Sequence, residues 1–202
     1  MGMILGLTGG IATGKSTVVS IFKSMNFPII DADVIAREIV EVGTPGLEQV
    51  VNAFGSEIVT VEGSLDRKKL GEIIFSDEEK RKKLNKVLSP FLKEAILTQI
   101  ADKKNQAPLV IVDIPLLYEG GYDKFMDKVA VVYVPEEVQL ARLMKRDHLT
   151  INEAQQRIDS QMSIEKKKQK ADIVFDNEKS IQETEKIVKK WVLEKNIDNI
   201  TD

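Results

Sequence analysis

The chain has 202 residues, 43% of them hydrophobic and 30% charged, and a formal net charge of -3. This composition suits a globular protein with a sizeable core, and the charge gives no general attraction to nucleic acid or to anionic membranes. The chain has no cysteine, which excludes disulfides, thiolate metal sites and a cysteine nucleophile. No apolar segment reaches membrane-span length and no basic region precedes an apolar stretch at the N-terminus. We therefore expect a cytoplasmic location, with neither membrane nor nucleic acid as a partner.

The first predicted elements are a buried strand over residues 3–7 and a helix over 16–25, whose apolar residues recur at helical spacing. Between them, residues 9–16 read Gly-Gly-Ile-Ala-Thr-Gly-Lys-Ser, which fits the phosphate-loop pattern G-x-x-x-x-G-K-[ST]. The backbone N–H groups of such a loop face one polyphosphate, its lysine reaches the terminal phosphates, and its hydroxyl ligates Mg²⁺. Lys15 and Ser16 therefore predict nucleotide binding. The dinucleotide pattern G-x-G-x-x-G is absent, which argues against a Rossmann oxidoreductase.

The second predicted strand, residues 28–31, leads into two carboxylates, Asp31 and Asp33. If the backbone stays extended, both side chains lie on one side of the sheet. Because sequential strands of a parallel sheet lie close together, we expect the second strand beside the first, with both carboxylates next to the phosphate loop. A carboxylate at that place takes the proton from an attacking hydroxyl or ligates Mg²⁺. Alternatively, Asp33 caps a helix over residues 34–39. The residues by themselves support the two roles equally.

The interval from residue 32 to 108 is too long for one crossover helix and predicts a helical subdomain where a second substrate is bound. One helix carries apolar residues from 47 to 54 and stops at Gly55. The capping-box sequence at 76–79 opens a second helix that continues through Leu88. Pro90 begins a third.

The third predicted strand, residues 109–113, ends in Asp113, a carboxylate placed for the metal or its water shell.

After the fourth strand (129–134), Arg142 and Arg146 lie on a helix that begins near Pro135, and a helix with a capping box at Thr150 follows. These arginines indicate a mobile lid over the transferring phosphate, or else a solvated charged face. The fifth strand covers 172–175, and the lysine run at 165–170 is typical of a solvated face.

His148 is interpreted as a solvated residue at a turn. The C-terminal helix, opened by the capping sequence at 180–183, is expected to bury Ile187, Val188, Trp191 and Val192. The alternation of strands and helices predicts an α/β fold around a parallel sheet, with the active site at the carboxyl ends of the strands.

Taken together, these residues resemble the dephospho-coenzyme A kinase family over nearly the whole chain. The matching stretches are residues 6–17 (GLTGGIATGKST), 31–33 (DAD) with Arg37, 113–119 (DIPLLYE), 139–142 (QLAR), 146–147 (RD), 157–162 (RIDSQM), Lys167, 171–172 (AD) and 176–177 (DN). The phosphate loop is shared by many families, but this ordered set is specific.

The resemblance implies a P-loop kinase fold with a five-stranded parallel sheet flanked by helices. The nucleotide-binding core would comprise residues 1–33, 106–138 and 171–202, the helical acceptor subdomain 34–105 and the lid 139–170. The implied reaction is the last step of coenzyme A synthesis, in which ATP with Mg²⁺ phosphorylates the ribose 3′-hydroxyl of dephospho-coenzyme A.

The resemblance also implies roles for individual residues. Asp33 becomes the general base, and Lys15, Arg142 and Arg146 act on the phosphates. The implied ATP-binding residues are Gly9, Gly10, Ala12, Thr13, Gly14, Lys15, Ser16, Thr17 and Asn177, with Asn177 in the stretch that borders the adenine. The implied acceptor-binding residues are Thr8, Asp33, Arg37, Leu116 and Glu119, and the implied metal ligands are Ser16 and Asp113.

The chain departs from the usual family pattern at four places: Ala12 replaces a common glycine, Ser89 a typical histidine, Ser163 a common proline, and Glu178-Lys179 a Ser-Gly pair. Three other nucleotide-binding classes fit the sequence less well. A shikimate kinase also carries paired carboxylates after its second strand but lacks the large insertion and the 113–119 stretch. A nucleoside monophosphate kinase requires no base, and a GTPase would need N-K-x-D, where residues 85–88 end in leucine.

Overall fold

A computed structural model describes residues 2–75 and 77–197. Its strands form a five-stranded parallel sheet in the order β2-β3-β1-β4-β5. The strands are β1 (Met3–Gly9), β2 (Ile29–Asp31), β3 (Leu109–Asp113), β4 (Lys128–Tyr133) and β5 (Ile173–Asp176). They confirm the predicted parallel sheet, and each strand end lies within two residues of its predicted position.

Helices connect these strands. Within the described residues they are α1 (Lys15–Ser24), α2 (Ala32–Glu38), α3 (Pro45–Phe54), α4 (Arg67–Phe75), α5 (Glu78–Lys103), α6 (Glu136–Asp147), α7 (Ile151–Asp159), α8 (Ile164–Lys170) and α9 (Ile181–Glu194). Several begin where the sequence predicts: Thr150 and Glu153 form the expected capping box of α7, and the Ser180 side chain caps α9. In the part of the chain that the structure describes, none of these helices is long and apolar enough to cross a membrane.

The chain divides into two compact units, residues 1–31 with 100–202 and residues 32–99. The first unit contains the sheet, and its main core lies between the sheet and helices α1 and α9. Phe22 is fully buried there and makes edge-to-face contacts with Phe27, Phe175 and Trp191. Val188 and Val192 are buried on α9 as predicted, but Ile187 is 38% exposed, so the buried face of α9 is narrower than expected.

The second unit is helical and has its own core, formed by buried residues of α3 to α5 and the turn at Ser56–Ile58. Helix α3 ends at Gly55 as predicted. The predicted start of a separate helix at Pro90 is wrong, because α5 runs without interruption from Glu78 to Lys103. Leu84 and Ile96 are buried on either side of Pro90, so tertiary packing offsets the single backbone hydrogen bond that the proline removes. The predicted cap residue Ser76 lies outside the described residues, and Asp77 accepts from the N–H of Lys80 at 3.1 Å.

Two local expectations at the second strand are also wrong. The extended backbone does not continue to Asp33, because α2 begins at Ala32. Asp33 is therefore the second residue of that helix and not its N-cap. Nor does β2 lie next to β1: β3 is inserted between them, with Asp113 in register with Leu7 on one side and with Asp31 on the other. The order of the strands depends on tertiary packing, which the apolar runs do not specify.

Candidate active site

The phosphate loop joins β1 to α1 at the carboxyl edge of the sheet, as the sequence predicts. Gly14 precedes α1 with φ at 85°, a left-handed conformation that glycine adopts without cost. A Cβ at Gly14 would also collide with the side-chain amide of Asn177. Ser16 is an exposed residue in the first turn of α1, so its hydroxyl lies at the positive end of a helix dipole.

Three carbonyl groups of the loop are held by hydrogen bonds from side chains. The Nζ of Lys167 donates to Gly9 O at 3.2 Å, the hydroxyl of Thr13 donates to Gly10 O at 2.9 Å, and Nδ2 of Asn177 donates to Thr13 O at 2.8 Å. In a planar trans peptide the N–H is directed opposite to the C=O. Each of these bonds therefore fixes the direction of the following N–H group.

Lys15 forms an ion pair with Asp113, which stands at the end of the neighbouring strand β3. Their side chains are only 19% and 9% exposed. The pair brings together the predicted phosphate-binding cation and one predicted metal ligand. Mg²⁺ commonly keeps several waters and takes one or two protein ligands beside substrate phosphates, so the Ser16 hydroxyl and the Asp113 carboxylate suit it. Among the described residues, no group of three or more acidic or histidine side chains could hold a metal by itself.

Asp33 and Arg37 lie in the second unit, one helical turn apart on α2, and both are exposed. The backbone carbonyl of Arg37 accepts from the guanidinium of Arg67 at 3.3 Å. The two predicted acceptor-binding residues thus share one exposed face of α2.

The two predicted phosphate-binding arginines are on α6 in the first unit. The guanidinium of Arg142 donates to the carbonyls of Asn177 and Glu178 at 3.0 and 3.1 Å. Arg146 is more exposed and binds Asp147 through two nitrogens at 2.7 and 3.0 Å, while Asp147 also accepts from Arg157 at 2.9 Å. The hydrogen bond from Arg146 lowers the pKa of Asp147, so this carboxylate is ionised at neutral pH. His148 is exposed, as predicted, and ends α6 in a left-handed conformation.

Asn177, predicted to lie at the adenine, is buried beneath the loop. Its Nδ2 reaches Thr13 O, and its Oδ1 accepts from the hydroxyl of Thr184 on α9 at 2.7 Å. The side chain therefore links α9 to the phosphate loop. Because the Asn177 side chain is engaged in this way, the predicted contact with adenine would have to come from the backbone around Asn177, and it stays a prediction.

The predicted acceptor-binding residues after β1 and β3 differ in accessibility. Leu116 is 45% exposed. Thr8 is fully buried, and its hydroxyl donates to Pro115 O at 2.9 Å, so its side chain supports the segment after β3 and does not face solvent. Glu119 is occupied by protein partners: its Oε1 accepts from Lys167 Nζ and from Met162 N, both at 3.0 Å.

The lysine-rich sequence around Lys167 led to a wrong prediction of its solvent exposure. It belongs to the lysine run interpreted as a solvated face, yet its side chain is completely buried. Helical spacing could have indicated this, since Lys167 is three residues after the buried Ile164 on the same face of α8. Gln161 was likewise missed as a loop contact: its Oε1 accepts from Ile11 N at 3.1 Å.

Ala12 has φ at 61°, in the left-handed region, which explains why glycine is common at this place in the loop. An alanine there is strained by about 1–2 kcal/mol, and a β-branched residue is worse. We expect Ala12→Gly to stay within about 1 kcal/mol of the parent in free energy of unfolding, because relief of strain offsets the greater freedom of the unfolded chain. Ala12→Val should lose about 1–3 kcal/mol. Urea unfolding of both variants checks this, and a valine variant as stable as the parent would contradict a left-handed Ala12.

Comparison with known proteins then assigns the family. The family model described as dephospho-CoA kinase matches residues 3–183. The chain belongs to the dephospho-CoA kinase family. It is 60% identical to the dephospho-CoA kinase of Enterococcus faecalis over 96% of this chain and 98% of that protein. It is 49% identical to that of Oceanobacillus iheyensis over 95% of this chain and 98% of that protein.

A solved structure of a family member agrees with this membership. The dephospho-CoA kinase from Campylobacter jejuni superimposes with a TM-score of 0.74 at 37% identity, covering 96% of this chain and 97% of that chain. The fold is thus that of a P-loop kinase, as the resemblance implied. Family membership also decides against the alternative assignments to shikimate kinases, nucleoside monophosphate kinases and GTPases.

Proposed function

We propose that the chain transfers the γ-phosphoryl group of ATP to the ribose 3′-hydroxyl of dephospho-CoA, yielding CoA and ADP. Membership of the dephospho-CoA kinase family is the observation that carries this proposal. The phosphate loop, with Lys15 paired to Asp113 at the sheet edge, supports the nucleotide half of the reaction. Both substrates are small molecules, and a cytoplasmic location remains a prediction from the sequence.

The reaction forms one bond and breaks one. The 3′-oxygen binds the γ-phosphorus as the bond from that phosphorus to the bridging oxygen of ADP breaks, and the hydroxyl proton passes to a base. We assign the base to Asp33, a carboxylate on the exposed face of α2 with Arg37 one turn away to bind an acceptor phosphate. This assignment rests on the family resemblance and on the chemistry of an alcohol acceptor.

The remaining residues orient and neutralise the phosphates. The loop N–H groups and Lys15 would bind the β- and γ-phosphates, with Ser16 and Asp113 as ligands of Mg²⁺. When bound, Mg²⁺ neutralises charge that develops on the phosphate oxygens. Lys15 and Asp113 are held together by their ion pair, and both would exchange this contact for the phosphates and Mg²⁺ when the nucleotide binds.

The acceptor is tested by coupling ADP release to an optical assay with dephospho-CoA, shikimate and nucleoside monophosphates as candidates. Among these candidate acceptors we expect turnover only with dephospho-CoA. Its 3′-deoxy analogue, which lacks the attacking oxygen, should not be phosphorylated. The deoxy analogue should instead inhibit competitively. Turnover with shikimate or a monophosphate, and none with dephospho-CoA, would overturn the proposal.

Arg146 gives a prediction about the transition state. Its guanidinium is now paired with Asp147, and the proposed function requires it to contact the transferring phosphoryl group when the predicted lid over residues 139–170 closes. Losing one charge-assisted bond of about 1.5–3 kcal/mol should lower both kcat and kcat/KM for ATP by about 10- to 100-fold in Arg146→Ala. Lys145→Ala, an exposed change on the same helix, is the control. A raised KM with normal kcat would make Arg146 a ground-state binding residue.

A further inference from the structure

Lys167 on α8 is an unusual lysine because its whole side chain is inaccessible to solvent. Its ammonium lies within hydrogen-bond distance of three oxygens: Gly9 O at 3.2 Å, Pro115 O at 3.0 Å and Glu119 Oε1 at 3.0 Å. An ammonium has three N–H donors, so the three acceptors match it one for one. A neutral amine has only two donors and could make at most two of these three bonds.

The oxygens belong to the segments that leave two neighbouring strands. Gly9 is the last residue of β1 and the first of the phosphate loop, whereas Pro115 and Glu119 follow β3, the strand that ends in Asp113. Lys167 therefore bridges the backbone next to the phosphate-binding loop and the backbone next to the carboxylate paired with Lys15.

The bond to Gly9 also has a directional consequence. Because the peptide between Gly9 and Gly10 is planar and trans, holding the Gly9 carbonyl toward Lys167 directs the Gly10 N–H to the opposite side. Without that bond the peptide could rotate and present its carbonyl to a phosphate, where an oxygen would repel the anion. A loop with one reversed peptide loses one donor and gains one repulsive dipole.

We propose that Lys167 is a positioning residue for the phosphate loop, whose ammonium keeps the Gly9–Gly10 peptide turned so that its N–H faces the bound nucleotide. An ammonium suits this role because its charge strengthens the buried hydrogen bonds to the carbonyls of Gly9 and Pro115. The carboxylate of Glu119 balances that charge. Burial lowers the pKa of Lys167, Glu119 opposes this shift, and the nearby charge of Lys15 adds to it. The inference rests on the proposed use of ATP as phosphoryl donor.

The principal test is Lys167→Met, which keeps the length and packing of the stem and removes all three donors. We expect kcat/KM for ATP to fall by about 10- to 100-fold, as for a modest misplacement of a binding group. Calorimetric titration with MgATP should show a matching loss of affinity. Lys166→Met, the same change at the exposed neighbour on α8, should behave as the parent enzyme does.

A purely structural Lys167 would lower the melting temperature and leave the ATP parameters of the folded enzyme unchanged, and that result would overturn the proposal. Direct binding separates this failure from failure of the proposed function. If the parent chain binds no MgATP, the proposed function is wrong as well. If the parent binds MgATP and Lys167→Met binds it equally well, only the role of Lys167 is wrong.

Should Lys167→Met fail to fold, Glu119→Gln tests the same point with the lysine in place. The amide keeps the size and the accepting oxygen but removes the charge that raises the pKa of Lys167. Because the ammonium exists only below that pKa, the alkaline decline of kcat/KM for ATP should move to lower pH in this variant. An alkaline limb that coincides with that of the parent enzyme would overturn the proposal.

Discussion

Replacing Lys15 with methionine should lower kcat/KM for ATP by about 10²- to 10³-fold, the usual effect of removing one preorganised donor from a developing charge. Lys15 follows the phosphate loop directly and is held by Asp113 with little solvent exposure. Its ammonium is therefore held beside the Asp113 carboxylate at the edge of the sheet. Methionine keeps the length of the side chain and removes only the charge and the donors.

The measurement is thermal unfolding with and without MgATP, alongside steady-state kinetics. At ~100 times the dissociation constant the ligand should stabilise the parent chain by roughly 2.7 kcal/mol, seen as a raised melting temperature. At the same concentration MgATP should stabilise Lys15→Met clearly less. Lys23 is exposed in the last turn of α1, and Lys23→Met should be stabilised as much as the parent. Equal stabilisation of Lys15→Met and parent would contradict the assignment of Lys15.

The fold was largely predictable because its central strands, β3, β1 and β4, are mostly buried on both faces. Strands of this kind have continuous apolar sequences, and β3, for example, is buried at every position. The loop, the caps of α7 and α9 and the end of α3 depend on local sequence, so they could also be predicted. The order of the strands depends on packing between distant segments, and for that reason the insertion of β3 between β1 and β2 was missed.

The site shows the same division between local and long-range information. The phosphate loop is one continuous motif, whereas three of the side chains that hold it come from residues 150 to 164 positions away: Gln161 at Ile11, Lys167 at Gly9 and Asn177 at Thr13. Composition assigns a lysine-rich helix to solvent, and only the tertiary structure shows that Lys167 has three buried acceptors. The family resemblance includes Lys167 and places Asn177 in the stretch that borders the adenine, but it does not predict the contacts that either side chain makes with the loop.

Asp33→Asn should lower kcat for dephospho-CoA by about 10²- to 10⁴-fold if Asp33 is the general base. The acceptor is an alcohol, and its proton must leave as the new bond to phosphorus forms. A positioned carboxylate accepts that proton, and an amide of the same size does not. Asp33 stands in the first turn of α2, where asparagine is tolerated at a cost of at most about 1 kcal/mol from the lost interaction with the helix dipole.

The variant therefore separates chemistry from folding. Asp33→Asn should unfold near the parental temperature and gain as much stability from MgATP, because the phosphate loop is intact. Glu38→Gln makes the same carboxylate-to-amide change at the exposed end of α2 and should leave turnover unchanged. A folded, ATP-binding Asp33→Asn enzyme with nearly normal kcat would make Asp33 a positioning residue at most. The proton would then pass to another acceptor, and a loose transition state, in which the hydroxyl retains its proton until late, would require only a weak one.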